Sequence, residues 1–169
     1  METMTTPLLQ RSAPDRAEVP VPQHELAALA DLARSRGARR VAIGSGRTAR
    51  ALAFADEFAA VWEATGGEVV DAITWPETAA SWLRQATRFA GAGADLWIMT
   101  GPAAGWAQMT RRLLWSTRWR PEHALVTATI GSPETLELVG LWDLDGLAGV
   151  SSQGTPWTVR EGRLIFDEA

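Results

Sequence analysis

The chain has 169 residues, 46% of them hydrophobic and 21% charged, with a formal net charge of -4 at pH 7. That length and balance suit one domain with a buried core, and the mild acidity argues against nucleic acid or an anionic membrane as partner. All 16 basic residues are arginine and cysteine is absent, which excludes disulfides, thiolate catalysis and cysteine-held metals.

Residues 1–22 carry four prolines and scattered charges, the composition of a flexible arm. They hold no apolar run long enough for a signal peptide or a membrane span, so a cytoplasmic protein is expected. From residue 23 to 169 the pattern is that of a single α/β domain. Leu26, Leu29, Ala30 and Ala33 recur at helical spacing, and Gly37 stops the helix. "RRVAIGS" is a short apolar run, hence a buried strand. Ala51, Ala55, Phe58 and Trp62 line one face of a second helix that ends at Gly66-Gly67. "EVVDAITW" follows as a strand, and a third helix is expected from Thr78, burying Ala79, Trp82, Leu83, Ala86 and Ala90. "ADLWIMTG" is a strand, and a helix carrying Trp106, Met109 and Leu113 comes next. "HALVTATIG" is a fourth strand. In "SPETLELVG", Ser132 is placed as N-cap, Pro133 at the first helical position and Glu134 at the positive helix end. "DGLAGVSS" is a fifth strand, and "WTVREGRLIF" is a hairpin turning at Glu161-Gly162.

Strands and helices alternate, and the strands are apolar throughout instead of every second residue. This predicts a three-layer, doubly wound, mainly parallel sheet of five strands, helices on both faces, and a C-terminal hairpin. Ligands of such sheets sit beyond the carboxyl ends of the strands. Five turns are therefore candidates: Gly44 to Thr48, Thr74 to Glu77, Thr100 to Gly105, Gly131 to Ser132, and Ser151 to Trp157.

The first turn tests for a nucleotide. Gly44 and Gly46 supply two glycines of the dinucleotide fingerprint, but Ala49 stands at the third and no acid closes the second strand. A Walker loop needs lysine, which is absent. The glycines are better explained by a tight strand-to-helix turn. An anion site built from Ser45, Arg47 and Thr48 at the following helix start is the alternative, and it would suit a phosphosugar or nucleotide and possibly an enzyme. His24 and His123 have no serine and acid in triad order and no metal-ligand spacing, and Asp143 and Asp145 suit a solvated loop. No catalytic residue, metal or cofactor is expected. Among the nine tryptophans, Trp62, Trp82 and Trp97 belong to core faces. Trp75, Trp106 and Trp157 fall at or after strand ends, where an aromatic ring can stack on a ligand.

The stretch "ELAALADLARSRGARRVAIGSGRTARALAFADEFAAVWEATGGEVVDAITW" resembles the start of the second lobe of type I periplasmic binding proteins, the branched-chain amino acid and amide family. "AGADLWIMTGPAAGWAQMTRR" is similar to the next strand and helix of that lobe, and "ATIGSPETLELVG" with "LDGLAGVSS" to its later part. The likeness runs from Gln23 to Ser152. Members are clamshells of two lobes that bind ligand between them, whereas this chain matches one. The resemblance places a ligand-contacting residue at Thr48 and the acid that holds a ligand's amino group near Gly105, where the sequence has no carboxylate. It implies a non-catalytic binding module that takes a small molecule or protein partner at the strand-end edge, its cleft completed by a homodimer or another protein. The candidate contacts are Ser45, Arg47, Thr48, Trp75, Thr100, Pro102, Trp106, Ser132 and Ser152.

Overall fold

A computed structural model describes residues 20–168, so all but Pro20, Val21 and Pro22 of the arm expected over residues 1–22 lies outside the described residues. Helix α1 (Gln23–Ser35) precedes β1 (Arg40–Ser45), α2 (Ala49–Ala64), β2 (Glu68–Thr74) and α3 (Leu83–Ala90). Strand β3 (Leu96–Thr100), α4 (Ala103–Ser116), β4 (Ala124–Val126), α5 (Pro133–Glu137) and β5 (Ala148–Val150) follow. The chain closes with β6 (Pro156–Arg160) and β7 (Arg163–Phe166).

The strands form one sheet in the order β2-β1-β3-β4-β5-β6-β7. The first five are parallel, as the unbroken apolar runs require. The expected terminal hairpin is present but is no appendage. Strand β6 pairs antiparallel with β5, and β7 with β6, so the sheet has seven strands instead of five. A second difference lies ahead of α3. The helix starts at Leu83, not Thr78, and both Ala79 and Leu83 are exposed. Trp82 is half-buried there, and its Nε1 donates to the Pro76 carbonyl at 2.9 Å across an irregular, bent segment.

Alternate residues of each central strand serve two separate cores. Val41 and Ile43 of β1, Leu96 and Ile98 of β3, and Leu125 of β4 pack with Leu26, Leu29, Phe54, Phe58 and Trp62 of α1 and α2. Ala42, Met99 and Val126 face the other way, against Phe89, Trp106, Met109 and Leu113 of α3 and α4. The helices therefore cover both faces, as expected for crossovers of one hand.

Two local devices hold β1 in place. At its start, the backbone N–H groups of Arg39 and Arg40 donate to Asp95 Oδ2 at 2.9 and 2.8 Å, tying the entry of β1 to that of β3. Those two bonds hold the Asp95 carboxyl below the usual carboxylate range. Near its end, Gly44 lies under two rings. A Cβ there would sit 2.5 Å from Trp75 and 2.8 Å from Phe89, and these rings meet edge to face at 6.4 Å.

Gly44→Ala is expected to cost about 1–3 kcal/mol, because buried rings on both sides leave the methyl no space. A thermal melt should then drop by about 2–4 °C per kcal/mol. Asp95→Ala should lose about 1 kcal/mol, a charge-assisted pair discounted for its exposure. Because the folded pKa lies below the ordinary 3.8, this stability is present above that value and lost as pH falls through the lower one. Urea curves of the two proteins should thus converge on acidification.

Candidate ligand-binding site

In a sheet of this order the crossover from β1 to β2 runs outward and the next returns past β1 to β3, so helices α2 and α3 lie on opposite faces. The loops leaving β1 and β3 diverge at that point and open a crevice. The structure has a cleft of about 320 Å³ there. Thr48 and Arg50 come from the start of α2, Thr100, Gly101 and Pro102 from the end of β3, and Thr127 and Thr129 from the loop after β4. Ala51 and Phe54 of α2 add apolar wall. The remaining side comes from the chain itself: Pro20, Val21, Pro22 and Glu25 of the lead into α1. The rim is thus partly closed from within.

Three hydroxyls of the wall are tied together. Thr100 Oγ1 and Thr127 Oγ1 lie 2.9 Å apart, and Thr127 Oγ1 lies 2.9 Å from Thr129 Oγ1. Thr48 Oγ1 accepts from the Ala51 N–H at 3.2 Å and caps α2. Glu25 is 4% exposed, and its Oε1 accepts from the Ala128 N–H at 2.7 Å. Burial pushes its carboxyl above the usual range, against the opposing pull of the Ala128 bond and of Arg50.

Of the candidate residues, Thr48, Thr100 and Pro102 line the cleft. The others lie elsewhere. Ser45 is buried as the last residue of β1, and Arg47 Nε donates to Thr74 Oγ1 at 3.2 Å. Ser132 Oγ is the N-cap of α5, accepting from the Thr135 N–H, and Ser152 is an exposed turn residue. The ligand-stacking role expected of Trp75, Trp106 and Trp157 is corrected by burial: they are 0%, 0% and 1% exposed, packed in the core that contains α3 and α4. Their rings fill the sheet beneath the rim instead of standing on it. Sequence reasoning missed Glu25, Arg50, Phe54, Thr127 and Thr129. An acid in the first turn of a helix ordinarily serves the helix dipole, and nothing local marks Glu25 as reaching a loop 103 residues away.

Near Gly105 the expectation also changes. Glu77, in the loop after β2, accepts from the Gly105 N–H through Oε2 at 2.8 Å. Pro102 at the N-cap of α4 has no side chain to cap with, and Glu77 does this from outside. A Cβ on Gly105 would meet that carboxylate at 2.5 to 2.7 Å, and one on Gly46 would lie 3.0 Å from Oε1. Glycines at 46 and 105 therefore make room for an acid. A phosphate at the turn after Gly44 would face that negative charge and an α2 start already capped by Thr48. His24 and His123 are exposed, and among the described residues no three His, Cys, Asp or Glu side chains could hold a metal ion.

No family model and no curated protein sequence matches the chain. Solved structures do. A branched-chain amino acid ABC transporter protein from Rhodospirillum rubrum aligns with a TM-score of 0.65 at 18% identity, over 78% of this chain and 37% of the other. The branched-chain amino acid transporter substrate-binding protein of Streptococcus pneumoniae, in complex with isoleucine, gives 0.62 at 12% identity over 75% and 35%. A solute-binding protein from Rhodopseudomonas palustris, in complex with p-hydroxybenzoic acid, gives 0.54 at 21% over 69% and 33%. These are type I periplasmic binding proteins. The chain spans about a third of their length and has the fold of one of their lobes.

A carboxyl whose folded pKa exceeds the ordinary 4.5 favours folding below that value, and this contribution is lost as pH rises through the raised one. Denaturant midpoints of the wild-type chain should accordingly decline over that window relative to Glu25→Gln, which cannot ionise. A constant difference between the two proteins across the window would show that Glu25 titrates normally.

Proposed function

We propose that this protein binds a small molecule without transforming it, in the cleft where the chain diverges between β1 and β3, and that a second copy or another protein completes the site. The cleft carries this reading: about 320 Å³ of mainly apolar wall, placed where this sheet order opens. The lobe-like fold supports it, since the matched proteins from Rhodopseudomonas palustris and Streptococcus pneumoniae hold p-hydroxybenzoic acid and isoleucine. The lead into α1 covers one side, while Thr48, Arg50 and Thr129 stand exposed at the mouth. That open side is where a partner fits, and a two-fold pair is the commonest closed arrangement.

A ligand present at about 100 times its Kd adds about 2.7 kcal/mol to folding stability. In a metabolite panel at such concentrations, the right compound should raise the melting temperature by roughly 5–10 °C. Thr129→Trp, which fills the mouth from an exposed position, should abolish that rise and leave the unliganded melt within a degree or two. Sedimentation velocity should show a second copy or another bound chain when the ligand is present. A panel that moves nothing, or a shift that survives Thr129→Trp, overturns the cleft as the site.

A further inference from the structure

The sheet ends in two edges, β2 and β7, and they are unlike. An edge strand leaves the N–H and C=O of alternate residues without a ladder partner, open to another chain unless something blunts it. Strand β2 is blunted. Val70 is an extra residue between Val69 and Asp71 in the pairing with β1, a bulge that twists the edge. Asp71 beside it holds Arg88 through bonds of 2.9 and 2.6 Å. Strand β7 has neither device. It pairs with β6 in unbroken register from Arg163 to Phe166, contains no proline, and leaves Ile165 47% and Phe166 50% exposed.

One bond shows which backbone groups face outward. The Asp167 N–H donates to the Pro156 carbonyl at 3.0 Å, so Asp167 turns its backbone toward β6. Alternate residues of an antiparallel ladder do the same. Arg163 and Ile165 therefore also bond inward, and the backbone groups of Leu164 and Phe166 point out. Side chains alternate between the two faces of the sheet as well. Leu164 and Phe166 stand opposite Val159 and Trp157, on the face of the core that holds α3 and α4. Arg163, Ile165 and Asp167 share the other face.

A second copy of β7 can meet this edge antiparallel about a two-fold axis, with outward groups facing outward groups. Registers centred on Leu164, on Ile165 and on Phe166 all allow this. The first sets Arg163 opposite Ile165, and the last sets Ile165 opposite Asp167. Only the middle one sets Arg163 opposite the copy's Asp167, on both sides of the axis. It also puts Leu164 against Phe166 and Ile165 against itself. Opposite charges and apolar pairs directly across a ladder favour its formation. Among the described residues the side chains of Arg163 and Asp167 make no hydrogen bond or ion pair within the chain. Arg36, which is also close to Asp167, donates instead to the Glu122 carbonyl at 3.2 Å.

We infer that β7 is a self-association surface, and that two copies of this protein join there antiparallel about Ile165 into one continuous sheet. About four backbone bonds form, from Leu164 and Phe166 of each copy. The inference goes beyond the cleft and does not rest on it. Strand β7 lies at the far end of the sheet from β1 and β3. The pairing reverses strand direction, so the two clefts open at opposite ends, and the contact needs no ligand.

The chain has no cysteine, so single cysteines read the register. Ile165→Cys places two thiols across a non-hydrogen-bonded pair, with Cα atoms about 4.5 Å apart, within disulfide reach. Mild oxidation should turn it into a covalent dimer. Leu164→Cys and Phe166→Cys lie about 8 Å from their own copies, beyond that reach, and should stay single chains. Sedimentation velocity of the wild-type chain without ligand should show a dimer that grows with concentration. Arg163→Asp and Asp167→Arg should each weaken it by about tenfold, as two exposed pairs turn repulsive. The double variant should restore it, and thermal melts should confirm that all three remain folded. A chain still monomeric at millimolar concentration, single reversals without effect, or a double variant that fails to recover overturns the inference. Faster cross-linking at residue 164 or 166 than at 165 overturns it too.

Discussion

Strand β1 is buried on both faces, and the chain leaves it toward β2 and comes back beside it as β3. That reversal is the constraint on which the rest of the molecule depends. It puts α1 and α2 on one face and α3 and α4 on the other, and it forces the loops after Ser45 and Thr100 apart. A cavity can persist there without a missing side chain, because no helix can run over the gap between two diverging crossovers. The strand-end residues that line the crevice are short: Thr48, Thr100, Gly101 and Thr127.

Below that rim the sheet is filled by aromatic rings. Trp75 and Phe89 lie over Gly44, Trp106 is wholly buried in α4, and Trp157 reaches across β5 from β6, where a Cβ on Gly149 or Gly131 would strike its ring. Large rings against bare backbone bury much area per residue. The arrangement has a cost: the indole N–H groups of Trp62, Trp75, Trp106, Trp119 and Trp157 are buried without hydrogen-bond partners among the described residues. Rings so placed are unavailable to a ligand.

Two acids reach the strand ends from elements that lie beside them. Glu77 comes from the loop after β2 and occupies the start of α4, the natural seat of an anion. Glu25 comes from α1 and bonds the loop after β4. They share this rim with the exposed Arg47 and Arg50, so it carries charges of both signs. The lead into α1 brings Glu25 and also Pro20 to Pro22, so the same few residues close one side of the cleft and supply its buried charge.

The order of elements was legible in the sequence, since burial on both faces leaves strands apolar at every position and the helices between them keep a 3.6-residue stripe. Ser132 as the cap of α5 and the turn at Glu161-Gly162 were legible too, because caps and tight turns are local chemistry. What the sequence could not carry was anything fixed by distant partners. The docking of the hairpin on β5, the late start of α3, and the burial of Trp75, Trp106 and Trp157 each depend on what packs opposite. Thr48, Thr100 and Pro102 could be placed at the cleft because they directly follow or end parallel strands, and strand direction alone puts them on that rim. Glu25 and Glu77 could not: each acts 103 or 28 residues away from itself in the chain, and only the folded sheet brings carboxylate and backbone N–H together.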